Sequence, residues 1–282
     1  MALFLVALLQ IATATEVSWV RDYPTALAKA KSSDRLMMVY IYSDWCPYCK
    51  QLNAVTYPDP LVISKSRQVV PFRINADKKE NKPLIKKFGL LGFPTILFID
   101  KNEQIQGKIP GYEGPESYAA DIDRFIASYK ASPAMKSRLA RNPNDSEANI
   151  WMAALKAWRS DVVGAEEHLA IGRRGRYRGI WYARALCAIG DIHQLGNRVD
   201  RALPLFREAV TTAKDRYDMG YAKISIMFCH SMKDEKDLMV ATAKEIIASS
   251  TMPEEYRESA KSVLRKLGVQ VFNGSHGNRI NP

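Results

Sequence analysis

Two patterns of apolar residues divide this chain. Between residues 18 and 130 short apolar runs alternate with amphipathic stretches. Leu36-Met37-Met38-Val39-Tyr40-Ile41-Tyr42 is a continuous apolar run that predicts a buried strand, Val69 to Asn75 reads as a second strand, and Gly92 to Asp100 as a third, opened by proline. Gln104 to Pro110 predicts a fourth. Helices are predicted over Pro24 to Ser32, after Cys46, over Asn81 to Phe88 with a stop at Gly89, and over Gly114 to Lys130. The order α, β, α, β, α, β, β, α is that of an α/β domain, a central mixed sheet covered on both faces.

Beyond residue 130 the composition changes. Ala131-Ser132-Pro133 and Asn142-Pro143-Asn144-Asp145 read as punctuation, and a second, all-α domain is expected over 134–270. Apolar residues recur at helical spacing in Ile150 to Leu169, Ile180 to Leu195, Val199 to Thr212, Tyr217 to Cys229 and Leu238 to Ile247, with Glu254 to Leu267 as a capping helix. Gly190 and Ala202 are small enough to let two helices approach closely, and Leu186, Ile189, Phe206 and Ala209 continue the inner face. This spacing resembles a tetratricopeptide repeat, with a weaker copy at Ala153, Ala165 and Leu169. Lys214 stands where that family often has proline. The resemblance implies a helical-repeat domain offering a concave face to a peptide or protein partner. The plainer alternative is a helical domain that only packs on the first. Residues 272–282 are rich in Gly and Asn and are expected to be a disordered tail.

The chemistry is concentrated in Trp45-Cys46-Pro47-Tyr48-Cys49-Lys50, delivered directly after the first strand. A strand leading two cysteines into a helix start makes a reversible dithiol/disulfide pair. Cys46 is expected at the helix N-terminus, where free N–H groups and the macrodipole favour a thiolate. Pro47 suits the first helical position, and Cys49, one turn on, resolves a mixed disulfide formed at Cys46. A structural zinc site would need more ligands, and no second Cys-x-x-Cys or close Cys/His pair accompanies this one. An inert structural disulfide is the other alternative. Beyond a redox-active Cys46–Cys49 disulfide, no cofactor or metal is expected. Cys187 and Cys229 lie in apolar helical sequence and are expected as buried thiols, with their pairing left open.

With Phe93-Pro94-Thr95 and the element order, this motif resembles the thioredoxin superfamily over residues 20 to 130. Ser43-Asp44-Trp45-Cys46, Asp59-Pro60, Asn75-Ala76-Asp77 and Pro94-Thr95-Ile96-Leu97-Phe98 are similar to exported thioredoxin-like domains, such as the C-terminal domain of the transmembrane thiol:disulfide interchange protein. The resemblance implies a thioredoxin fold over 18–130, a cis-proline at Pro94, and a loop that holds the substrate backbone through Phe93, Pro94 and Thr95. Trp45, Pro47 and Tyr48 would complete the substrate-binding rim. Cys-Pro-Tyr-Cys is also the glutaredoxin tetrapeptide, but Phe93 replaces the small aliphatic residue of that family's glutathione site. Tyr40 stands where thioredoxins place a buried carboxylate. Deprotonation of Cys49 is therefore expected to rely on water or Lys50, with Asp44 as an exposed loop residue.

Met1 to Leu9 is almost wholly apolar, and Ala12-Thr13-Ala14 has a small-x-small form, so 1–14 reads as a signal peptide, although it lacks a basic n-region. Export to the periplasm or secretion is expected, with no membrane span after cleavage. The formal net charge of +11 includes the cluster Arg173, Arg174, Arg176 and Arg178, read as a solvated loop, and no nucleic-acid partner is expected. The sequence thus leads to an exported thiol–disulfide oxidoreductase that reduces protein clients and depends on an external redox partner. The alternatives are a dithiol oxidase or isomerase using the same pair, or a non-enzymatic helical-repeat scaffold.

Overall fold

In the computed structural model, which describes residues 15–89 and 92–270, β1 (Met37–Tyr42) lies between two neighbours. It pairs in parallel with β2 (Val70–Asn75), Met37 opposite Val70 through Tyr42 opposite Asn75. On its other side it runs antiparallel to β3 (Thr95–Ile99), with Val39 opposite Leu97. β4 (Ile105–Pro110) adds the far edge, giving the order β2-β1-β3-β4. A central strand covered on both faces has no polar side to alternate with, which is why Met37 to Ile41 are all buried and the run reads as continuous. The expectations for residues 1–14 and 272–282 lie outside the described residues.

Helix starts follow capping chemistry. Asp22 accepts from the Thr25 N–H at 2.8 Å and opens α1 (Tyr23–Ser33). After the cysteine motif comes α2 (Pro47–Gln51), which widens into a single π turn over Leu52–Thr56. The sequence reading had one helix here and gave Asp59-Pro60 no helix of its own. Asp59 instead caps the Leu61 N–H at 2.8 Å, with Pro60 in the first turn of α3 (Pro60–Ser66). α4 (Lys82–Phe88) ends as expected at Gly89, which adopts a left-handed φ of 60°.

α5 (Pro115–Arg141) departs from expectation, because it continues through Pro133 instead of stopping at Ala131-Ser132-Pro133. An interior proline costs about 3 kcal/mol in an isolated helix. Packing offsets this cost: Ser128, Ser132 and Met135 are buried, and the Ser128 hydroxyl accepts from the Trp151 indole at 2.9 Å.

The chain divides into two compact units. One takes in the described residues up to Gln104 with Lys108–Ile126; the other takes in Ile105–Gly107 with the described residues from Ala127. The second is all-α: α6 (Ser146–Trp158), α7 (Val162–Arg174), α8 (Ile180–Leu195), α9 (Val199–Thr212), α10 (Arg216–Met232), α11 (Lys236–Ala248) and α12 (Glu254–Lys266). The apolar stretch Ile150 to Leu169 is two helices, separated where Ser160 takes a φ of 63° and Asp161 caps α7 through the Gly164 N–H. Neighbours in sequence pack together, α6 on α7, α8 on α9 and α10 on α11. Ala202, Phe206 and Ala209 are fully buried, and a Cβ at Gly190 would lie 2.8 Å from the Phe206 ring. Arg184 and Asp218 form a buried two-point ion pair at 3.0 and 3.2 Å. Among the described residues, no helix is long and apolar enough to cross a membrane.

Candidate active site

The C-terminal end of β1 feeds the loop Ser43-Asp44-Trp45, and Cys46 is the N-cap of α2. Its sulfur accepts from the Cys49 N–H at 3.3 Å, and its carbonyl accepts from the Lys50 N–H at 3.1 Å. Pro47 occupies the first turn, where a missing N–H costs nothing. The cysteines are free thiols in this structure, and both are buried, Cys46 at 3% and Cys49 at 1% exposure. Burial is the main cause that pushes the Cys49 thiol up to about 12; the hydrogen bond with Cys46 adds to it, and hydrogen bonds from the Ser43 backbone and Tyr40 oppose it.

Around this nearly buried pair the surface is aromatic. Trp45 is 69% and Tyr48 47% exposed. The Trp45 ring meets Phe93 edge to face with centroids 6.2 Å apart, so the Phe93-Pro94-Thr95 segment stands beside the cysteine loop. The Phe93–Pro94 peptide bond is cis. The Pro94 carbonyl accepts from the Gly111 N–H at 2.9 Å, and the Thr95 hydroxyl donates to the Gly92 carbonyl at 2.8 Å. The structure therefore gathers Trp45, Cys46, Pro47, Tyr48, Cys49 and Phe93 into one locale, with Pro94 and Thr95 adjoining it through Phe93.

Asp77 is a residue to which the sequence reading gave no role. Its carboxylate accepts from the Ser43 hydroxyl at 2.7 and 2.9 Å and from the Asp44 N–H at 2.7 Å. These bonds, with a further one from the Trp45 side chain, hold its pKa below the usual carboxylate range. Asn75 assists, donating to Asp44 at 2.9 Å and accepting from the Asp77 N–H. Asp44 is exposed, as expected, and is a member of this brace. The available signal was the polar Asn75-Ala76-Asp77 ending an otherwise apolar strand.

Elsewhere, Cys187 and Cys229 are buried in α8 and α10. In the arginine cluster, Arg173 pairs with Glu208, while Arg178 lies over the Tyr182 ring at 4.2 Å and donates to the Gly175 and Tyr177 carbonyls. Among the described residues, no group of three or more His, Cys, Asp or Glu side chains is placed to hold a metal ion.

A mixed sheet whose central strand ends in Cys-x-x-Cys at a helix start, beside a Phe-Pro-Thr segment, defines a thioredoxin-like domain followed by an all-α region. Residues 23–126 match the model of the thioredoxin-like domain family. The same part of the chain is related to the thiol:disulfide interchange protein DsbD. The match to the Haemophilus influenzae protein is 31% identical over 101 residues, 34% of this chain and 17% of that protein. The match to the Pectobacterium atrosepticum protein is 32% identical over 113 residues, 39% of this chain and 19% of that one. This chain thus spans less than a fifth of either relative. Among solved structures, a thioredoxin from Thermus thermophilus is 27% identical, with a TM-score of 0.38, covering 42% of this chain and 93% of that one.

Proposed function

We propose that this chain is an exported thiol–disulfide oxidoreductase that reduces protein disulfides through Cys46 and Cys49. The observation that carries the reading is the capped pair: Cys46 opens α2, and the Cys49 N–H donates to its sulfur. The thiolate of Cys46 attacks a client disulfide, forming a mixed disulfide and expelling one client thiolate, which takes a proton from water. The Cys49 thiolate then attacks the Cys46 sulfur, forming the Cys46–Cys49 disulfide and releasing the second client thiolate. The client gains two electrons and the pair loses two, so an external dithiol donor must restore it. Trp45, Pro47, Tyr48, Phe93, Pro94 and Thr95 form the rim for the client chain. No cofactor other than the cysteine pair takes part in this cycle. The all-α region recruits the client or the donor, in the manner of the tetratricopeptide spacing around Gly190 and Ala202. Export rests on the apolar run Met1 to Leu9 and on Ala12-Thr13-Ala14.

The test is an equilibrium redox titration of the purified protein, with Cys46→Ser as the blank. A reversible two-electron couple near about −270 mV is expected of a reductase. A value near about −120 mV would reverse the direction and make the protein a disulfide donor. No reversible couple overturns the enzyme reading and leaves the all-α region as the working part.

A further inference from the structure

Behind the cysteine pair, β1 carries a tyrosine whose hydroxyl is spent on the second cysteine. Tyr40 is fully buried, and its hydroxyl donates to the Cys49 carbonyl at 3.2 Å. It is held there by stacking on Tyr42 at 5.0 Å, an edge contact with Tyr57 at 4.9 Å and a tilted contact with Trp19 at 5.9 Å. These contacts keep the phenol oxygen beside Cys49, and the polar target it reaches belongs to the residue that must resolve the mixed disulfide.

Resting on the oxidoreductase reading above, we propose that Tyr40 is the positioning residue for the resolving step. Its hydroxyl anchors the Cys49 carbonyl while Cys49 is a thiol, and donates to the Cys49 sulfur once that sulfur is a thiolate, holding it toward Cys46. The proton of Cys49 leaves to water. The thiolate forms the bond to the Cys46 sulfur, the Cys46–client bond breaks, and the departing client thiolate is protonated by water. Tyr40 keeps its proton throughout.

Electrostatics supports the division of roles. The titratable groups facing the Cys49 thiol are Cys46 on its own turn, Tyr40 from β1 and Tyr57 after the π turn. Hydrogen bonding to Tyr40 lowers the Cys49 pKa against the burial that raises it. Burial, followed by the neighbouring Cys49, moves the Tyr40 phenol well above its ordinary range. It is therefore a donor, not a base, over the whole working range of a thiol enzyme.

The test uses the full chain, reduced, with an aromatic disulfide whose two coloured thiolates leave in succession. The first release reports attack by Cys46 and the second reports resolution by Cys49. Tyr40→Phe is expected to leave the first release within twofold of wild type. It slows the second on the order of tenfold near neutral pH and displaces its pH profile upward, as loss of one hydrogen bond to an ionised group requires. Tyr118→Phe removes another buried hydroxyl, one that bonds Met38 and Tyr57 and not Cys49, and is expected to leave both releases unchanged. An unaltered second release and pH profile in Tyr40→Phe overturns the proposal. Equal slowing of both releases, or equal slowing by Tyr118→Phe, also overturns it, since the hydroxyl would then serve the fold alone. A wild-type protein that gives no second release defeats the oxidoreductase reading itself, an outcome distinct from failure of Tyr40.

Discussion

Asp77 acts on the cysteine loop from 33 residues away in sequence, through donors on Ser43, on the Asp44 backbone and on Trp45. Its pKa is lowered because these donors favour the carboxylate form. A carboxylate with a depressed folded pKa gives its full support above the ordinary value of 3.8, and that support is lost as pH falls through the folded value below it. The loop is therefore expected to stay braced through mildly acid conditions. Asp77→Asn keeps the shape and removes the charge. It should speed exchange of the Asp44 amide proton on the order of tenfold at pH 7, since hydrogen bonds to ionised acceptors are the stronger kind. Amide exchange by NMR checks this, and unchanged protection at Asp44 would show that the loop holds itself. Cys46 and Cys49 could be read from the sequence because their chemistry is written in a spacing of three. Asp77 could not be assigned a role there, since its partners are set by the parallel pairing that puts Tyr42 opposite Asn75.

Elements were legible where the local pattern and the tertiary environment agree. β1 and β2 were predicted within a residue of their observed ends: β1 is a continuous buried apolar run, and β2 is buried apart from Arg73. The misplacements occur where packing overrides local preference: Pro133 inside α5, and the turn at Ser160 hidden within an apolar stretch. α8 and α9 were legible to the level of contact, since Gly190 leaves the space that Phe206 fills. Gly190→Leu puts a side chain into that space. Overpacking of this kind costs about 1–3 kcal/mol, and a lowered urea midpoint for the helical signal is expected. The thiol–disulfide couple of Cys46 and Cys49, measured on the same variant, should not move. A midpoint equal to that of wild type would mean that α8 and α9 part without penalty and that the small residue has another cause.

At the scale of the whole molecule, the net charge of +11 is shared by both parts of the chain: residues 15–130 carry 17 basic against 13 acidic side chains, and residues 131–282 carry 24 against 17. Around the cysteine loop the lysines are interspersed with Asp44, Asp77 and Glu80. Lys50 follows Cys49, and Lys78, Lys79 and Lys82 follow Asp77, the residue that braces the cysteine loop. Such a field raises the encounter rate with acidic clients without changing the thiol chemistry. It acts over a screening length of about 30 Å at 0.01 M salt and about 3 Å at 1 M. Two disulfide peptides of one length, flanked by glutamates or by lysines, separate the two effects. At low salt the acidic peptide should be reduced several-fold faster, and the rates should converge as salt rises. Lys78→Glu with Lys79→Glu should shrink the low-salt gap, because these residues follow Asp77, whose carboxylate bonds the loop that leads to Cys46. Equal rates for the two peptides at low salt would show that the positive surface plays no part in choosing what reaches Cys46.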